Sequence, residues 1–258
     1  MRLYMKYFAI NLKCQMQYKG TFLLNVFARV VLAFATVAGV WFMFLRFSAV
    51  EGFTVSQVLL CTAVTTMSFS LVEAFARGFE IFPRLLGNGQ FDRFLVRPRN
   101  IIFQVLASQM EFARLGILIQ AVFVFVYAIP RSGVAWTWDK ILTLVLMVAC
   151  GALTFFALFV IHAALSFFTV EGLEVMNILT YGGREFGRYP YSVYGKGILR
   201  FLTFVIPLAL FQYYPLLYLL GRERGVLYML APLFSLLFLL PGYGVFRLGL
   251  RRYKSTGS

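Results

Sequence analysis

Few side chains in this chain can do chemistry, and their spacing excludes most reactions. The 258 residues include one histidine, ten acidic residues and three cysteines. A single histidine, His162, rules out a multi-histidine metal site. It falls in an apolar run, where it reads as a helix-contact residue rather than a proton relay. Cys14, Cys61 and Cys150 share no metal-ligand spacing and read as reduced thiols facing lipid or core. A nucleotide-binding loop needs G-x-x-x-x-G-K-[ST]. The nearest stretch, Gly195-Lys196-Gly197, has Pro190 at the first glycine position and glycine after the lysine. Any ATP hydrolysis must therefore come from another polypeptide. No nucleophile–base–acid set stands at useful spacing. The one polar cluster that could serve a membrane enzyme or an assembly factor acting on lipids is Tyr181–Tyr194, with Arg184, Glu185 and Arg188. An ion-coupled carrier is a further alternative, but it needs acidic or histidine relays in mid-membrane. Glu73, Glu111, Glu171 and Glu174 instead fall near span ends, where pairing with arginine explains them.

The elements that must position these groups are membrane helices. Hydrophobic residues make up 61% of the chain and charged residues only 13%, against about 25% charged in a soluble domain. A water-soluble fold of this length has too much surface to hide that apolar content. The net charge of +14 sits between apolar runs, as in loops flanking membrane spans, which speaks against nucleic acid as a partner. The first long apolar run begins near Thr21 behind a basic stretch, and it is too long for a cleavable signal.

Residues 1–20 read as an amphipathic helix lying in the headgroup layer, with Arg2, Lys6 and Lys13 on one face and Leu3, Tyr7, Ile10 and Cys14 on another. An ordinary basic flank of the first span is the alternative. Spans follow at 21–45, 57–76, 101–129 and 141–168, and the last at 226–246. Arg29 is close enough to the basic end of the first span to snorkel. Glu111 and Arg114 stand three apart and can pair. Between 169 and 225 two readings fit. In one, 170–197 is cytoplasmic and 198–220 is the fifth span. In the other, 168–183 is a short polar span and 189–224 is a re-entrant hairpin around Pro207 and Pro215, tolerated only where protein or water covers its backbone. Both give six crossings. The basic residues concentrate in segments that put both termini in the cytoplasm.

The loop between spans two and three carries the most information. Gly87 and Gly89 break a helix, Asp92 suits a new helix start, and Pro98 ends it. Phe91, Phe94 and Leu95 give an apolar face beside Arg93 and Arg97. Such a knob suits docking into a groove of a soluble partner, or else onto the membrane surface.

Residues 89–98, Gly-Gln-Phe-Asp-Arg-Phe-Leu-Val-Arg-Pro, resemble the "G-x-[FI]-D-x-x-L-x-R-P" loop of ABC-2 type permeases. The stretch 168–186 and the tail 251–257 are also similar to that family, although Arg99 and Asn100 depart from the expected loop exit. The resemblance implies an all-α integral membrane fold of six transmembrane helices, with an N-terminal amphipathic interface helix (1–20) and a cytoplasmic coupling helix (84–99). It makes Gly89, Phe91, Asp92, Arg93, Phe94, Leu95, Arg97 and Pro98 the ATPase-coupling residues. It favours the re-entrant hairpin, with Pro207 at its turn, and makes Glu171, Glu174, Asn177, Arg184 and Glu185 gate candidates. It implies an exporter in a bacterial inner membrane, and the plentiful aromatic residues, 30 Phe and 14 Tyr, point to an amphipathic or lipophilic substrate. The expected partners are an ABC ATPase dimer carrying ATP and Mg, a second permease, homologous or identical, and membrane lipid. No cofactor on this chain is expected.

Overall fold

A computed structural model describes residues 2–47, 49–169 and 173–253. Among these residues the regular structure is helical, and the only β feature is an isolated bridge between Val50 and Phe53. Five helical stretches are long and apolar enough to cross a membrane: Leu3–Arg46, Val55–Phe75, Phe112–Arg131, Trp138–Leu165 and Val226–Arg252. A bent pair, Lys196–Phe204 and Leu208–Leu219, passes the same test as a unit. The chain is thus a multi-pass, all-α membrane protein.

The first stretch is α1 (Arg2–Gln15), a single 3-10 turn, and α2 (Lys19–Arg46), with a non-helical backbone at Tyr18 between them. The inward face of α1 carries Tyr4, Phe8 and Gln15, which touch Phe103, Phe75 and Phe112, and Met110. Of the expected apolar stripe, Leu3, Ile10 and Cys14 are exposed. The helix therefore has two apolar sides, one spent on protein and one left outward. Helix α2 is peripheral, with only 11% of its most apolar window buried.

Helix α3 (Val55–Phe75) is the axis of the bundle, with 78% of its window buried. A capping box between Thr54 and Gln57 starts it. Its hydroxyls bind neighbouring backbone: Ser68 Oγ donates to Val148 O at 3.1 Å, and Thr62 and Thr65 donate to Arg188 O and Gly187 O, both at 2.9 Å. Such bonds are the lateral glue available where lipid removes the hydrophobic drive between helices. Helix α9 (Trp138–Leu165) crosses α3 at Gly151, where a Cβ would lie 2.6 Å from Ser68 Oγ and 2.7 Å from the Phe211 ring.

Short helices α4 (Arg77–Glu80), α5 (Phe82–Gly87) and α6 (Asp92–Leu95) follow α3. The expected third span then divides into α7 (Ile101–Ser108) and α8 (Leu115–Arg131), a correction to the reading of 101–129 as one helix. A side chain inserts at the break. Gln15 donates to Met110 O and accepts from Phe112 N–H at 2.9 Å, while Glu111 N–H turns to Ala74 O at 3.0 Å. Those substitutes replace the lost helical bonds, a recognised cause of kinks.

Beyond α9, α10 (Leu173–Phe186) leads through a 3-10 turn at Tyr191–Tyr194 to α11 (Lys196–Phe204) and α12 (Leu208–Leu219). The chain bends by 113° between α11 and α12, so 198–220 is no straight span. The break is at Pro207 alone. Pro215 lies inside α12 without interrupting it, which corrects the expectation of a turn around both prolines. Gln212 anchors α12, its amide donating to Gly187 O at 3.2 Å and Tyr189 O at 3.0 Å. Helices α13 (Val226–Ser235) and α14 (Leu239–Arg252) complete the last crossing, tied to α9 by Thr154–Ser235 at 2.9 Å.

Candidate functional site

Two places gather the residues of interest: the loop 81–100 at one end of the bundle, and a polar band among α2, α3, α8 and α10.

The loop is built on aromatic packing. Phe82 and Phe91 are fully buried. The ring of Phe91 meets Phe82, Phe94, Phe167 and Tyr253 at centroid distances of 5.0, 6.2, 5.6 and 5.1 Å, all near perpendicular. Phe167 lies just past α9, and Phe246 of α14 closes the cluster at 5.8 Å from Phe82 and 5.6 Å from Phe167. Edge-to-face geometry suits the ring quadrupole and fixes the rings relative to one another. Gly89 (φ +66°) supplies the left-handed turn into α6. Asp92, first residue of α6, accepts from Tyr253 Oη at 2.9 Å. Gln104 of α7 donates to Phe94 O and Arg99 O, both at 3.0 Å, and Asn100 caps α7 by accepting from Phe103 N–H.

The apolar face read from the sequence is thereby divided. Phe91 points into the bundle and Phe94 is half-buried against it. Leu95 is outward at 43% exposure, joined by Val96 at 84%, and Arg93, Arg97, Pro98 and Arg99 are exposed around them. Sequence reasoning missed Val96. Val96 keeps helical dihedrals at the end of α6 and, five residues on, lies about 140° around the axis from inward-facing Phe91, so it faces outward.

The polar band is a chain of ion pairs. Arg29 of α2 pairs with Glu111. Arg77 pairs with Glu80 and, at 3.2 Å, with Glu111. Burial works against the charge on Arg77, but Glu80, Tyr181 and Glu111 outweigh it and raise its pKa above the usual guanidinium range. Arg114 lies 3.3 Å from Glu111 and 2.9 Å from fully buried Glu73, but off the axis of its N–H, so the Glu73 oxygens have contact without an aligned hydrogen bond. Arg184 and Arg188 both hold Glu185. Arg29, expected to snorkel, instead turns to a carboxylate, the more favourable use of a charge at that depth.

Of the gate candidates, Glu171 lies outside the described residues. Glu174 and Asn177 are exposed on α10. Arg184 and Glu185 pair with each other on α10, and the neighbouring Gly183 is what abuts α12: a Cβ there would meet Leu208 Cδ1 at 2.9 Å, directly after buried Pro207.

The fold and site together define a multi-pass helical membrane protein with a braced loop at one end and a band of ion pairs among its helices. The family model for ABC-2 family transporter proteins matches residues 30–257. The chain belongs to that family. Membership makes it the membrane domain of an ABC transporter, with nucleotide bound by a partner ATPase. No curated protein and no solved structure matches the chain.

Proposed function

We propose that the chain is the permease subunit of an ATP-driven exporter. It would move an amphipathic or lipophilic substrate out of the cytoplasm or inner leaflet of a bacterial inner membrane. The observation that carries this reading is the loop 84–99. Its core is clamped by Phe91, Gln104 and Tyr253, while Leu95 and Val96 project among Arg93, Arg97 and Arg99. An exposed apolar pair rimmed by arginine is the chemistry of a docking knob for a soluble groove. On a floppy loop such a knob would yield when pushed. Here it shares an aromatic cluster with α9 and α14, so displacement of the knob moves helices.

In this reading both termini are cytoplasmic, α1 lies in the headgroup layer, and α10 is the fifth crossing. The segments α11 and α12 form a re-entrant hairpin whose turn is Pro207. ATP and Mg bring two ATPase subunits together beneath a pair of permeases, the second homologous or identical. Closure drags the two 84–99 loops, and the bundles rock to open a path outward. The test is reconstitution of the chain with its ATPase in liposomes. Export of a fluorescent amphiphile that requires hydrolysable ATP supports the proposal. Movement of the solute by this chain alone sinks it.

A further inference from the structure

Four of the five arginines of the polar band face a common space. A cleft of about 190 Å³ opens between α2, α3, α8 and α10, lined by Arg29, Arg114, Arg184 and Arg188 with Thr66 and Gln120. Among the described residues no carboxylate lines it. Glu73, Glu111 and Glu185 contact the arginines from outside the cleft lining, and two of the three also serve Arg77, which has Glu80 besides. Among the described residues Arg29, Arg77, Arg114, Arg184 and Arg188 meet Glu73, Glu80, Glu111 and Glu185, so there the band carries one more guanidinium than carboxylates. The four cleft side chains retain 13–29% exposure.

An unmatched cation at this level is costly. Arg29 stands about 15 Å along α2 from Lys19, at 1.5 Å per residue, well inside a crossing helix. Charges held there pair with one another or mark the path of a ligand. Guanidinium forks fit the oxygens of phosphate and carboxylate bidentately, with more specificity than lysine provides. Leu32 and Ile117 form the cleft's apolar edge, and next to them α2 exposes Phe27, Val31 and Leu32. An anionic head can therefore enter the cleft while its tail lies along α2.

We infer that this cleft binds the phosphate-class head of an amphipathic anion. The inference deepens the permease reading by naming the chemistry of the molecule carried, and rests on it only for transport, not for binding.

The experiment uses the full chain in nanodiscs of phosphatidylglycerol and phosphatidylcholine in equal amounts, without ATPase, so it reads the cleft and not coupling. Lipid retained on release is measured by native mass spectrometry. The expected result is preferential retention of phosphatidylglycerol. It should fall about tenfold in Arg29→Gln/Arg188→Gln and stay unchanged in Arg131→Gln, at the far end of α8. Arg29→Lys, which keeps charge and loses the fork, should fall between the two and guards against a folding artefact. Inorganic phosphate added at millimolar concentration separates the sources: displacement indicates a free anion, and undiminished retention indicates a lipid head. Equal retention of the two lipids by the parent chain, or of phosphatidylglycerol by parent and double variant, overturns the inference. Failure of the ATPase to drive export would leave this result standing and would fall on the permease reading instead.

Discussion

Replacing Phe91 with alanine and Val96 with aspartate, five residues apart on one loop, should give opposite phenotypes. Phe91 is fully buried and touches four aromatic rings. Truncation removes a ring from a filled core, at a cost of about 3–5 kcal/mol. In a thermal-unfolding assay on the purified chain that is a drop on the order of ten degrees. Val96 is 84% exposed and makes no such contacts. An aspartate there should change folding stability by less than about 0.5 kcal/mol. If Val96 and Leu95 form the centre of a docked knob, burying a carboxylate there costs at least about 2 kcal/mol, roughly a thirtyfold loss of ATPase affinity. The assay pairs melting temperature with the amount of ATPase that co-purifies from membranes expressing both proteins. Phe91→Ala should melt early, and Val96→Asp should melt like the parent while losing the ATPase. A Val96→Asp chain that retains its ATPase and still exports would refute the assignment of the knob. A Phe91→Ala chain that melts like the parent would refute the claim that the aromatic cluster holds the loop.

Three further outcomes follow from the packing. Gly151→Ala should lower the melting temperature, because its Cβ would collide with Ser68 Oγ and Phe211 where α3, α9 and α12 cross, an overpacking cost of about 1–3 kcal/mol. Gln212→Leu should leave Tyr189 O without its donor and Gly187 O with Thr65 alone, at a cost of about 1–3 kcal/mol, with faster hydrogen exchange confined to 187–195. Gln15→Ala should open the break between α7 and α8, and limited proteolysis should then cut near Met110 sooner than in the parent chain.

The spans were legible because apolar length is a strong signal and lipid leaves the backbone few alternatives. The pairing of Glu111 with Arg114 was also legible, since spacing on one helix face fixes it. The partners Arg29 and Glu73 were not. They come from other helices, and no local pattern says which faces meet. The break at Gln109–Glu111 was hidden for the same reason: it depends on Gln15, nearly a hundred positions earlier in the chain. In the loop, residue types identified an apolar element, but not which apolar side chains were interior. Phe91 reads like Leu95 until Phe167 and Tyr253 are placed beside it.

The position of Tyr253 has a practical side. Its ring lies against Phe91 and its hydroxyl reaches Asp92, so the end of the last helix belongs to the same block as the knob. A fluorophore or affinity handle placed immediately behind it would travel with the loop. Paired with a second dye on the ATPase, it would register engagement of the two proteins as a change in distance. Cutting the chain before Tyr253 should loosen the block from its far side.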